Sequence, residues 1–261
     1  MKKASLQAVI ASNENRCLLL FLGEGPKDFN NLIVSLGMAK EQLLSIIRSL
    51  EESYLIIENS GIYRLTCMGE LIAGKLKPLF SLEEFINTAN GYWLNRKLDF
   101  IPPFLLKELH KINSGTVTQP SSSNLYDYNK EAHEASLSSK SFSMAAACLH
   151  PVFPDLFSDM IDSGVNLSLI FDPYLLDKIK RDNPNELQKL LNERQVSLHL
   201  YSQQMPFLSF KVTDSCIVLK LLDRNNVYDH KQLICYGPDA VEWGNELFEH
   251  YRRQSVQLAD L

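Results

Sequence analysis

The sequence predicts an α/β fold class split into two domains. Three observations carry the prediction. Residues 28–64 read as helix, tight turn, helix and short hairpin. From residue 142 onward, strand-like runs alternate with helical ones. The charge also changes sign along the chain: residues 1–80 hold nine Lys/Arg against eight Asp/Glu, and the remaining residues carry −6 of a total of −5. The boundaries expected are 1–80, 81–117 as a helical linker or dimerisation region, and 118–255.

In the first domain, residues 12–22 form a helix with Cys17, Leu18, Phe21 and Leu22 toward a core. Gly25-Pro26 then precedes Asp28, an N-cap for a helix whose Phe29, Leu32, Ile33 and Leu36 repeat at helical spacing. Gly37 ends that helix because glycine adopts positive φ at little cost. The next helix begins near Ala39 and buries Leu43, Ile46, Ile47, Leu50 and Tyr54. Strand-like runs on either side of Asn59-Ser60-Gly61 follow as a hairpin. This order is a winged helix-turn-helix, whose second helix commonly enters a DNA major groove.

The face opposite the apolar stripe is the candidate reading surface. Gln42, Ser45 and Ser49 can meet base edges or phosphates, Arg48 can read guanine, and Lys40 can neutralise phosphate. Asn59, Ser60 and Arg64 on the hairpin can reach the DNA backbone. Glu41 opposes phosphate unless it accepts from cytosine. A net charge of +1 for residues 1–80 is a weak electrostatic footprint, so a winged helix used only for protein contact stays open beside double-stranded DNA as the partner.

Thr66 caps a long helix running to about residue 80, with Met68, Leu71, Ile72, Leu76 and Leu79 as its stripe. That stripe suits either a homodimer or packing on its own domain. Residues 81–117 read as helical connecting material, with Pro102-Pro103 opening a short helix that ends near Asn113. A boundary is expected in the turn-rich stretch 119–124.

The second domain is expected to contain strands at 142–149, 165–171, 196–201, 207–212, 215–222 and 233–236. Helices fall at 153–163, 175–179, 186–193 and 239–253. Strand-helix-strand units imply a partly parallel sheet. Ligands of such domains bind beyond strand carboxyl ends, which singles out His150, Asp172 and Tyr201. Asp229 and His230 form a candidate pair lining the same pocket, against a turn before the last strand. Asp214 is a further candidate, against a hairpin-turn role. Trp93 and Trp243 read as core or interface residues.

Forty-five per cent hydrophobic and 22% charged residues describe an ordinary globular chain. Five scattered cysteines, none in a CxxC pair, read as small buried residues in a reducing cytoplasm. The apolar run 17–22 is too short to cross a bilayer, and the polar residues 13–16 break up any signal peptide after Met1-Lys2-Lys3. No histidine pair has metal-helix spacing, and Walker A, G-x-G-x-x-G and G-x-S-x-G are absent, so no metal, cofactor or catalytic residue is expected.

An ordered series of short stretches carries a family resemblance: Tyr63-Arg64-Leu65-Thr66 with Gly69, Tyr92-Trp93 with Arg96, Ile101-Pro102-Pro103, His150-Pro151, Val212-Thr213-Asp214, Tyr228-Asp229-His230 and Trp243-Gly244. On these the chain resembles archaeal winged-helix transcriptional regulators with a methanogenesis-regulator (FilR-type) domain. It departs at Lys40-Glu41-Gln42, where such helices more often carry Ser or Thr. The resemblance implies a homodimeric DNA-binding regulator, from a methanogen-like archaeon, whose C-terminal domain senses an unspecified small-molecule effector. That domain also looks like a degenerate phospholipase-D-type fold, as in sugar-sensing TrmB-like regulators. Enzymes of that superfamily use His-x-Lys-x4-Asp. With the Asp on Asp214, Phe207 and Ser209 stand at the His and Lys positions, and Lys211 is off the spacing. No phosphodiester hydrolysis is expected; a phospholipase-D-like hydrolase and a protein-only adaptor are the alternatives.

Overall fold

A computed structural model describes residues 9, 12–88, 92–112, 115–119 and 130–258. The chain forms two compact units, Met1–Ser81 and Leu82–Leu261.

The first unit begins with α1 (Asn13–Leu22), capped by Ser12, whose hydroxyl accepts from Asn15 N. A two-residue strand β1 (Lys27–Asp28) leads into α2 (Phe29–Leu36). The Asp28 carboxylate accepts from Asn31 N at 2.8 Å, and Gly37 ends the helix at φ 60°. α3 (Lys40–Glu52) follows after two residues. The hairpin β2 (Ile56–Asn59) and β3 (Ile62–Leu65) pairs antiparallel, and β1 adds to β3 to give three strands. At its tip Ser60 and Gly61 hold φ 54° and 80°, the paired left-handed values of a tight hairpin turn. α4 (Cys67–Thr88) is capped by Thr66, whose hydroxyl accepts from Gly69 N and donates to Tyr54 O. It runs past the expected end near residue 80, with Pro78 inside it. Leu18, Leu19, Leu32, Leu43, Leu50 and Leu55 close the core beneath α3. Tyr54, expected in the stripe of α3, instead lies beyond the helix at φ 57° and is exposed.

The second unit is an eight-stranded sheet between two helical layers. β5 (Ser141–Ala146), β6 (Asn166–Phe171) and β7 (Val196–Tyr201) run parallel. β8 (Ser209–Thr213), β9 (Cys216–Lys220) and β10 (Gln232–Tyr236) continue antiparallel from β5, and β4 (Thr116–Thr118) closes that edge. β11 (Ser255–Gln257) closes the other edge against β7. One face carries α7 (Phe153–Asp162), α8 (Pro173–Asp182) and α9 (Pro184–Asn192), packed on Leu167, Leu169, Phe171 and Leu198. α6 (Lys130–Leu137) extends that layer over Cys216, Val218 and Ile234.

The opposite face carries α10 (Pro238–Arg252) together with residues 92–112. That segment was expected to connect the halves. Its Tyr92, Trp93, Phe100, Ile101, Leu105 and Ile112 are instead core residues, around Trp243 and Tyr251. Trp243 Nε1 donates to Leu105 O and Tyr251 Oη to Phe100 O, so the segment is tied down by polar bonds as well as apolar area. It holds a single α-helical turn, α5 (Pro103–Leu106), between two short 3-10 helices, Trp93–Asn95 and Leu109–Ile112. The expected helix end near Asn113 and boundary residues 120–124 lie outside the described residues. β4, α6 and β11 were not anticipated.

Candidate functional site

On α3 the four buried positions Leu43, Ile46, Ile47 and Leu50 turn the remaining residues outward. Lys40, Gln42, Ser45 and Arg48 are exposed and Ser49 is half-buried. Asn59, Ser60 and Arg64 of the hairpin are exposed too. The side chains of Lys40, Arg48 and Arg64 make no ion pair or hydrogen bond with another described residue. Three cations without carboxylate partners on a helix and its wing suit phosphate contact. Glu41 is also exposed on this face.

The second unit holds a cavity of about 300 Å³ between its sheet and helices α6 and α7. Strand register builds its charged wall. Ser209 pairs with Lys220 and Lys211 pairs with Val218, so the two lysines lie diagonally on one face of the β8–β9 pair. Phe210 and Val212, the alternate residues, go into the opposite core. Lys211 Nζ donates to Ala132 O at 2.9 Å and Ser136 Oγ at 3.2 Å. Burial, with the Lys220 charge nearby, pulls its pKa down to about 8. Burial also lowers Lys220, whose ammonium has no hydrogen-bond partner among the described residues. The floor is apolar: Phe142, Met144, Phe153, Leu156, Phe157 and Met160. His133, Cys148, His150, Tyr228 and His230 also face in, and among the described residues no Asp or Glu lines the cavity.

The ligand candidates read from the sequence divide here. His150 and His230 line the cavity. His150 Nδ1 also accepts from Val152 N at 3.3 Å, just ahead of α7. His230 holds φ 62°, a costly conformation for a residue with a Cβ, and its ring lies 5.2 Å from that of Tyr228. The other four lie elsewhere and have tasks in the fold. Asp172 is buried and caps α8 through Leu175 N. Tyr201 packs edge-on against Tyr251. Asp214 accepts from Lys140 N and from the backbone and hydroxyl of Ser141. Asp229 pairs with Arg96, not with His230: both of its oxygens accept from Nη2, at 2.7 and 2.8 Å. Burial raises the Asp229 pKa, and the Arg96 hydrogen bonds and charge overcome it, leaving the carboxyl below its usual range. The residues that escaped the sequence reading are Lys220, Cys148, Tyr228 and Ser136. One signal was available: a lysine at 211 between Phe210 and Val212 in a strand reading as buried.

Cys216 and Cys235 are buried as expected, but Cys67 and Cys148 are exposed. Trp93 and Trp243 are core residues. Among the described residues no cluster of three or more His, Cys, Asp or Glu has a metal-holding arrangement, and no helix is long and apolar enough to cross a membrane. Phe207, at the nucleophile position of His-x-Lys-x4-Asp, is buried against Phe100, Phe210 and Tyr251.

The N-terminal domain of "Methanogenesis regulatory protein FilR1" matches residues 3–84, and its middle domain matches residues 125–254. The chain belongs to the FilR1 methanogenesis regulatory protein family. A FilR1 from Methanothrix harundinacea (strain 6Ac) is 27% identical over 258 residues, 96% of this chain. The chain spans 57% of that relative's length. In this family member the α3 face lies in the N-terminal domain match, and the cavity in the middle-domain match. Among solved structures, TrmBL2, described as an archaeal chromatin protein with a novel mode of DNA binding, covers 96% of each chain at 16% identity with a TM-score of 0.43. Nuc from Salmonella typhimurium, a phospholipase D family member, covers 56% of this chain and 99% of its own at 14% identity with a TM-score of 0.40.

Proposed function

We propose that this chain is a one-component transcriptional regulator that binds double-stranded DNA and carries a non-catalytic sensing domain. The observation behind this reading is the exposed α3 face, with Lys40, Gln42, Ser45 and Arg48 outward on a winged helix in a FilR1-family chain. Ser49, Asn59, Ser60 and Arg64 flank it. Exposed Met68, Leu71 and Leu79 on α4 supply an apolar stripe for a homodimer. Two α3 helices would then read half-sites one DNA turn, roughly 34 Å, apart. The second unit, with phenylalanine where a histidine nucleophile would stand, takes a small-molecule effector in its cavity. Its occupancy shifts operator affinity by the effector's differential affinity for the two dimer arrangements. The setting is the cytoplasm.

Fluorescence anisotropy with duplexes from the chain's own promoter tests this. Arg48→Ala should weaken binding by about 1–3 kcal/mol and relax preference at one base pair, while Lys40→Ala should weaken all sequences alike. Absent binding, or affinity unchanged in both variants, would favour a protein-only adaptor.

A further inference from the structure

The cavity of the second unit is unusual in its charge balance. A buried ammonium is normally paired, because removing it from water is costly. Here two ammoniums share one sheet face, and among the described residues no carboxylate lines the wall around them. Lys211 is held by neutral acceptors on α6, and the Lys220 ammonium has no hydrogen-bond partner among the described residues. Asp159 approaches His133 at 3.6 Å but is not part of the cavity wall. The rest of the wall combines an apolar floor of phenylalanine, methionine and leucine with neutral polar groups and imidazoles such as Ser136, Tyr228 and His230. A volume of about 300 Å³ sits at the lower end of small-molecule sites.

We infer that this cavity binds a small organic anion, a carboxylate or phosphate group on a compact apolar body. The anion sits between Lys211 and Lys220, and the body lies over Phe142, Phe157 and Met160. Tyr228 and His230 stand at the same wall as donors. The inference deepens the sensing half of the proposed function and names the effector class that reading leaves open. An anion there supplies the countercharge that the described cavity wall does not, and the apolar floor rejects bare inorganic ions.

The test is calorimetric titration of the full chain, without DNA, using hexanoate, hexyl phosphate, hexanol and inorganic phosphate. At least one of hexanoate and hexyl phosphate should bind at least about tenfold more tightly than hexanol and inorganic phosphate, a gap of about 1.4 kcal/mol. Lys220→Met should remove that gap without changing the circular dichroism spectrum. Hexanol matching the anions, inorganic phosphate matching hexyl phosphate, or no binding of either organic anion would overturn the inference; the wild-type comparison suffices where the variant misfolds. Promoter binding measured on the same sample separates the two readings. DNA bound without anion sinks only this inference, and anion bound without DNA sinks only the regulator.

Discussion

Lys211 shows how a single residue can oppose the fold that contains it. Its strand neighbours Phe210 and Val212 are core, and its own ammonium lies in the cavity wall with neutral acceptors. The folded protein therefore disfavours the charged form, with a pKa of about 8 against 10.5 for an ordinary lysine. The sign follows directly. Below pH 8 the lysine is charged in both states and the folded state carries the whole penalty. As pH rises from about 8 to 10.5 the penalty disappears. Relative to Lys211→Met, the wild-type chain should therefore gain stability over that window, by at most about 3 kcal/mol. Urea unfolding of both proteins at several pH values measures the gap; parallel curves would show that the ammonium is well solvated. Comparison with the methionine variant cancels the opposite trend from Cys235, whose thiol is pushed up to about 12 by burial.

At the scale of elements, α4 carries two glycines in opposite situations. A Cβ on Gly69 would overlap the Leu55 carbonyl oxygen, which already accepts from Thr66 N at 2.9 Å. Gly74, on the same helix, faces open space. Gly69→Ala should cost about 2–3 kcal/mol by forcing α4 off the hairpin. Gly74→Ala should add up to about 1 kcal/mol through helix propensity. Thermal unfolding of the two variants decides this, and shifts of the same sign would mean the α4–hairpin contact is looser than drawn. This unit was legible in the sequence because its signals are local: Asp28 caps through Asn31, Gly37 closes onto Ile33 and Thr66 caps through Gly69, each within four positions. The second unit was less so. β4 has only Thr116-Val117-Thr118, and it exists because β10, more than a hundred residues later, offers an edge. Residues 92–112 read as linking material because their partners, such as Trp243 and Tyr251, lie far along the chain. The cavity was half legible for the same reason. His150 follows a strand end, which local order reveals, but placing Lys220 beside Lys211 needs the register of two strands.

For the whole molecule, the charge division carries the argument. A net −6 on residues 81–261 does not draw the chain to DNA, so attraction must come from a few cations presented together on the first unit. A net charge of +1 on residues 1–80 understates this, because Lys40, Arg48 and Arg64 make no ion pair among the described residues that would hold them from phosphate. The central claim is that the α3 face and its wing contact a duplex, and the salt dependence of promoter affinity tests it most directly. With a dimer presenting these three cations twice, log affinity should fall with log salt at a slope of about −5, and Lys40→Ala should make it shallower by about 2. A flat salt dependence, or a slope that Lys40→Ala leaves untouched, would contradict the account.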